Sequence, residues 1–240
     1  MTLATPRLLL RRWRQEDRLP FARLNADPAV MAFFPARLSP EESDRFIERI
    51  EEHFERHGFG LWAAQLRESP GCIGYIGLWT LSFEAHFTPA VEIGWRLAAE
   101  HWGRGLATEG AREVLRWGFE EAGLDEIVSC TAVANSRSRR VMEKIGLTHD
   151  PRDDFDHPGL PEGHPLRRHV LYRLRREAWA PERETDSARE SGDPPIPRPL
   201  STAGPRVRSS PDLCRERYPD RSAPEDSTRN REYCRKNARA

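Results

Sequence analysis

Every Trp and Phe of this chain, seven and ten residues in a total of 240, lies before residue 181. The final sixty residues contain neither, yet they hold nine of the twenty Pro. A packed core needs large apolar side chains, because fixing a backbone costs about 1–2 kcal/mol per residue that burial must offset. The core is therefore confined to the first three quarters of the chain. Setting the tail aside raises the apolar fraction from 38% to roughly 43%, close to that of an ordinary globular domain. The expected organisation is one domain over residues 1–179, followed by a disordered Pro/Arg/Ser/acidic tail over 180–240.

Thirty-eight basic residues balance 38 acidic ones, which is not the bulk charge of a strongly basic nucleic-acid binder. Within 181–240, thirteen basic and eleven acidic residues nearly cancel in the same way. An Arg-rich RNA-associated protein would need a basic face that this balance does not promise. Lys144 and Lys236 are the two lysines, and the almost exclusive use of Arg reads as a GC-rich coding bias. No apolar run reaches the roughly eighteen residues of a membrane span. The N-terminal MTLATPRLLLRRW is broken by Pro6 and Arg7 before a secretory apolar region could form. Cys72, Cys130, Cys214 and Cys234 make no CxxC pair and no zinc spacing. These features point to a cytoplasmic protein in a reducing compartment, with no membrane or nucleic-acid partner; a homodimer stays open.

Hydrophobic periodicity divides the domain into short elements. RLLLRRW (7–13) reads as an opening strand, and Glu16 to Phe34 as helical, punctuated by Pro20 and Asp27-Pro28. Ser39-Pro40-Glu41-Glu42 is a helix start, with a capping Ser, Pro at the first helical position and Glu42 completing a capping box. Phe46, Ile47, Ile50 and Phe54 share one face of that helix, which Gly58 stops. GLWAAQLR (60–67) and CIGYIGLWTLSF (72–83) form a hairpin pattern about Glu68-Ser69-Pro70-Gly71. A strand over 90–98, a helix from Gly105 to about Ala122, a strand over 126–133, a short helix over 136–144 and a last strand over 168–174 follow. The alternation describes an α/β domain, a mixed sheet with helices on its faces.

Two segments carry chemistry. In VEIGWRLAAEHWGRGLATEGA (91–111), a strand runs into a glycine-bearing loop and then a helix. Glycines let a backbone approach a ligand closely, and the unpaired N–H groups of a helix start favour an anion such as a pyrophosphate. The spacing is not the dinucleotide fingerprint, since Thr108 stands at the third glycine position, and no Gly-Lys-Ser/Thr makes it a P-loop. Glycines used only for packing are the plainer alternative. In ANSRSRRVMEKIGL (134–147), Asn135 can cap a short helix that carries Ser138 on its first turn and ends at Gly146. Capping alone would explain this segment too.

Together the two segments resemble the GCN5-related N-acetyltransferases (GNAT), specifically the branch of the ribosomal-protein N-terminal acetyltransferases (RimJ/RimL-like), over about Arg7 to Trp179. The family's Gln/Arg-x-x-Gly-x-Gly/Ala motif corresponds to Trp102-Gly103-Arg104-Gly105-Leu106-Ala107, with Trp102 in place of Gln/Arg. The branch commonly has a Trp-Gly-x-Gly-x-Ala-Thr-Glu form. A second motif, Asn-x-x-Ser…Met-x-Lys-x-Gly, matches Asn135, Ser138, Met142, Lys144 and Gly146. The resemblance implies a mostly antiparallel mixed sheet and transfer of an acetyl group from acetyl-CoA, as co-substrate, to a primary amine on a protein N-terminus or a small molecule, with no metal. A catalytically silent acyl-CoA-binding module is the alternative.

The resemblance also implies roles. Pantetheine would lie in a split between the strands at 91–97 and 127–133, bonding to the backbone near Ile93, Trp95 and Leu97. The pyrophosphate would sit on amides of Trp102, Gly103, Arg104, Gly105, Leu106 and Ala107. Asn135 would contact the cofactor, and Ser138 would lie near its sulfur or phosphates. Glu92, a charge set between Val91 and Ile93, would take the amine proton through water; a salt-bridged strand carboxylate is the plainer reading. The family's frequent general-acid Tyr is replaced by Met142, which leaves Ser138 or an unassisted thiolate, whose ordinary pKa is about 8.5. Phe83, Phe87 and Phe155 would wall the acceptor side, with Asp154, Asp156 and His157 suiting a cationic acceptor unless that acidic loop is merely solvated. His53 and His57, four apart on a helix, could share a metal only with a third ligand.

Overall fold

The computed structural model describes residues 1–179, so the tail expected over 180–240 lies outside the described residues. The chain begins with two short strands, β1 (Leu3–Ala4) and β2 (Leu8–Arg11), and two helices, α1 (Arg18–Ala26) and α2 (Pro40–His57). The hairpin pattern becomes β3 (Leu61–Leu66) and β4 (Cys72–Leu81), followed by β5 (Ala90–Leu97), α3 (Leu106–Glu120), β6 (Glu126–Ala132) and α4 (Ser136–Lys144). Two-residue strands β7 (Thr148–His149) and β8 (Phe155–Asp156) precede β9 (Arg168–Arg175).

All nine strands form one sheet of order β1-β2-β3-β4-β5-β6-β9-β7, with β8 also on β9. Every pairing is antiparallel except β5 with β6. Parallel neighbours need a crossover, and α3 supplies it. Successive strand residues face opposite sides, and β4 shows which helix covers which side. Tyr75 meets Phe21 of α1 and Phe46 of α2. Its neighbour Ile76 lies under Gly110 of α3, where an added Cβ would come within 2.4 Å of Ile76 Cδ1. Helices α1 and α2 thus cover one face and α3 the other.

The sequence boundaries shift where local hydrogen bonds intervene. The helical stretch from Glu16 becomes a short 3-10 turn over Gln15–Asp17, then α1, which stops at Asp27, where the backbone turns extended and Oδ1 accepts from Ala29 N. The opening strand ends at Arg11, and Trp13 instead donates its indole N–H to the Leu61 carbonyl at 2.8 Å. Helix α2 begins as expected, with Ser39 and Glu42 capping each other's backbone N–H. Helix α3 begins one residue later than expected: Gly105 is the left-handed cap before it, at φ 76°. Among the described residues no helix is long and apolar enough to cross a membrane.

Candidate active site

Between β5 and β6 the sheet comes apart. A single backbone pairing, Glu92 with Val128, joins these strands. Just beyond it, Ser129 Oγ donates to the Ile93 carbonyl at 2.9 Å, and Cys130 N donates across the gap to Glu92 Oε1 at 3.3 Å. Past these bonds β5 is held by β4 and β6 by β9, and a cleft of ≈ 700 Å³ occupies the split.

The edge of β5 facing the cleft follows from its bonds. The Ile93 carbonyl is turned to Ser129, and the Leu97 carbonyl accepts the Trp102 indole N–H at 2.8 Å. With a period of two, the N–H and C=O of Trp95 point the same way. They present a short stretch of strand edge to whatever lies in the split.

At one end of the cleft, Gly103 and Gly105 take φ 73° and 76°. No side chain caps Gly105, and the first backbone bond within the turn runs from Glu109 N to the Gly105 carbonyl. The N–H groups of Leu106, Ala107 and Thr108 therefore have no acceptor inside the helix. Together with the helix dipole they form an anion cradle. This loop is tied to the start of the chain. Arg7 Nη1 donates to the Arg104 carbonyl at 2.9 Å, while Arg7 Nε and Thr5 Oγ1 donate to Glu109 at 2.6 and 2.5 Å. Burial alone would raise the Glu109 carboxyl, but these bonds hold it below its ordinary range. Arg137, stacked 4.7 Å from the Trp102 ring centroid, and Lys144 add positive charge at this end.

Across the gap, Asn135 caps α4 by accepting from Ser138 N at 3.3 Å and donates to Thr131 Oγ1 at 2.9 Å. Asn135 and Ser138 both line the cleft; Met142 is buried in the core. The cradle and α4 border the cleft from the α3 face. Glu92 shares the opposite face with Gly94 and Arg96, since these residues alternate with Ile93 and Trp95. Glu92 is 2% exposed, at the closed end of the split. Cys130, beside it, is pushed up to about 12 by burial and stays a neutral thiol.

The fold gathers most of the expected residues. Glu92, Trp95, Leu97 and Ser138 line the cleft, as do Trp102, Gly103 and Gly105 to Ala107. Ile93 and Arg104 do not line it: Ile93 is buried and Arg104 is turned toward His101. The acidic loop disagrees with the expected cationic-acceptor role. Asp153 bonds Arg173 at 2.7 Å, Asp154 bonds His149 at 2.7 Å, and Asp156 faces Arg167 and Arg168. Phe87 and Phe155 pack with Phe83, and of these three Phe83 reaches the cleft.

His157 and His169 border the same end, 5.0 Å apart between ring centroids. His169 Nδ1 sits 3.1 Å from the Arg167 carbonyl, so Nδ1 carries the proton and Nε2 a lone pair. His53 is likewise committed, with Nδ1 donating to the Phe59 carbonyl at 2.7 Å and Nε2 accepting from Thr80 N at 3.1 Å. Among the described residues no group of three His, Cys, Asp or Glu is placed to hold a metal. Sequence reasoning passed over Arg96, Ser129, Cys130 and His169, whose positions depend on strands and helices far apart in the chain.

An anion cradle, an open strand edge and a carboxylate on the far face define a class: proteins that can hold an extended, phosphate-bearing ligand through a split sheet. The family model described as "Acetyltransferase (GNAT) domain" matches residues 7–148. FsC-acetyl coenzyme A-N(2)-transacetylase of Aspergillus fumigatus is 34% identical over 74% of this chain and 77% of its own length. A putative ribosomal N-acetyltransferase of Bacillus subtilis, YdaF, is 31% identical over 60% of this chain and 77% of its own. The crystal structure of spermidine N-acetyltransferase from Vibrio cholerae, in complex with CoA and spermine, shares the fold with TM-score 0.57 and 18% identity, covering 71% of this chain and 96% of that one. The chain belongs to the GNAT family and is an acetyl-CoA-dependent acetyltransferase of amines.

Proposed function

We propose that the protein acetylates the α-amine of its acceptor, with Glu92 as the base and acetyl-CoA lying in the split between β5 and β6. The observation that carries this reading is the position of Glu92, fixed by Cys130 N at the closed end of the split and facing the side opposite the anion cradle. Acetyl-CoA, when bound, supplies a thioester carbonyl as electrophile and a thiolate as leaving group.

The chain's own residues do the rest. The N–H groups of Leu106 to Thr108 bind the pyrophosphate, and the Trp95 backbone extends its strand edge to the pantetheine amides. The acceptor nitrogen forms its bond to the carbonyl carbon as the C–S bond breaks, and Glu92 takes the amine proton through a water. Ser138, which lines the cleft on the first turn of α4, would return a proton to the sulfur unless the thiolate leaves unassisted. The Cys130 thiol donates to Glu92 Oε1 at 3.3 Å and is pushed up by burial, which makes it a poor nucleophile and supports direct transfer over an acetylated cysteine. Energy favours an α-amine. At pH 7 freeing one of pKa 7.8 costs about 1 kcal/mol, against about 4.6 for a lysine.

Glu92→Gln keeps the shape and removes the base. Acetyl-CoA affinity should hold while kcat/KM falls about 10²- to 10⁴-fold at pH 7. The deficit should shrink as pH rises toward the acceptor's own pKa, because the free amine then forms unaided. Profiles of both proteins from pH 6 to 9.5 decide it; a deficit below about threefold, or one flat with pH, removes Glu92 from the mechanism.

A further inference from the structure

Two arginines are buried among the described residues, and the fold treats them differently. Arg11 is answered by Asp17, which accepts from Nη1 at 2.7 Å and from Nη2 at 2.9 Å. Arg96 is only 8% exposed and lines the cleft, yet no described carboxylate comes within ion-pair distance of it. Its Nη1 donates to Asn25 Oδ1 at 2.6 Å, and no described group accepts from its buried Nε. One face of the guanidinium lies 3.9 Å from the Phe34 ring centroid. Asn25 is itself fixed, its Nδ2 donating to Ser43 Oγ of α2 at 2.9 Å.

A buried cation without an anion costs stability, and here the fold spends further side chains on orienting it. With Nη1 engaged by Asn25, Nε buried and the group set among the Phe34, Phe46 and Tyr75 rings, Nη2 is the nitrogen left to hold an oxygen of a carboxylate. Arg96 stands on the same face of β5 as Glu92, with Gly94 between them and no side chain to separate the two. Their Cα atoms are about 13 Å apart along the strand, with the Glu92 carboxylate bonded to Cys130 of β6 and the Arg96 guanidinium to Asn25 of α1.

We propose that Arg96 binds a carboxylate of the acceptor, so that the substrate is a free α-amino acid whose amine meets Glu92. This rests on the α-amine reading given above. The walls on this face include Val30, Phe33, Leu81 and Phe83, which suit an apolar side chain. Among the described lining residues Glu92 is the one carboxylate, so a polyamine would meet Arg96 without an acidic partner for its second charge.

Matched pairs test the arginine apart from the amine chemistry. Thiol release from acetyl-CoA is measured with leucine against leucinamide and phenylalanine against phenylalaninamide, with rates expressed per free amine. The wild-type protein should prefer each acid by about 10- to 100-fold in kcat/KM. Arg96→Met should bring that ratio near one, and Arg96→Lys should keep part of it. Calorimetry with CoA present should show N-acetylleucine binding the wild type, N-acetylleucinamide failing to, and Arg96→Met losing the distinction. An amide used as well as its acid, or a preference that survives Arg96→Met, overturns the proposal. Turnover of a peptide N-terminus above that of leucine also overturns it and assigns a protein acceptor. If no amine releases thiol, the α-amine reading fails, while the calorimetric pair still judges Arg96. Should Arg96→Met not fold, the acid–amide ratio of the wild type and of Arg96→Lys decides.

Discussion

At Gly105 the cleft needs both a backbone conformation and an empty space. A side chain there would be strained at φ 76°, although its Cβ would meet nothing nearer than Arg7 Nη2 at 3.6 Å. A left-handed non-glycine residue costs about 1–2 kcal/mol, which a folded domain can bear, but a branched side chain would project beside the open N–H groups of α3. Gly105→Val should therefore remain folded and lose measurable acetyl-CoA binding; calorimetry showing unchanged affinity would detach this loop from the donor. The glycine was legible because its whole context lies within six residues. Glu92 was legible because a charge between Val91 and Ile93 stands out on an apolar strand. Arg96 gives no such signal. It reads as an outward-facing strand cation until Asn25, 71 positions earlier, and Phe34 are folded over it.

Elements with strong local chemistry appear where the sequence places them, and those without it do not. Helix α2 has its cap, its proline and its glycine stop written into consecutive residues, and the structure contains the reciprocal Ser39–Glu42 bonds. Removing the cap by Ser39→Ala should cost about 1 kcal/mol, a fall of roughly 2–4 °C in Tm for a domain of this size. A thermal melt that does not move would show that tertiary packing, not the cap, sets the start of α2. By contrast β1, β7 and β8 are two residues each. Two residues have no period, and these strands exist because β2 and β9 offer them partners. The glycine loop was legible as a strand-to-helix connection, but not the register of α3. Whether Gly105 is the first helical residue or the cap before it depends on a torsion angle that composition does not encode.

Over the whole molecule, burial holds His53, His57, His157 and His169 below their ordinary range, and two of them far below it. His53 and His157 are each pushed down to about 3, chiefly by desolvation. The unfolded chain binds their protons near pH 6.5 while the folded one does not, so stability is fully present above that value and is lost as pH falls toward 3. Between pH 6.5 and 5 the pair should cost about 3 kcal/mol, or roughly 6–12 °C in Tm. His53→Gln should flatten that slope in a pH series of melts; an unchanged slope would mean the ring is not buried neutral. The remaining consequence belongs to the seam between β5 and β6. Five strands with α1 and α2 lie on one side and four strands with α4 on the other, while α3 packs across both, with Gly118 against Ile127 of β6 and Arg112 bonded to the Lys144 carbonyl of α4. One backbone pair and three bonds involving side chains join the two strands near Glu92. The sheet is thus continuous at one end and forked at the other, so a ligand laid in the fork can take up the free edge of β5 without displacing a strand from either ladder.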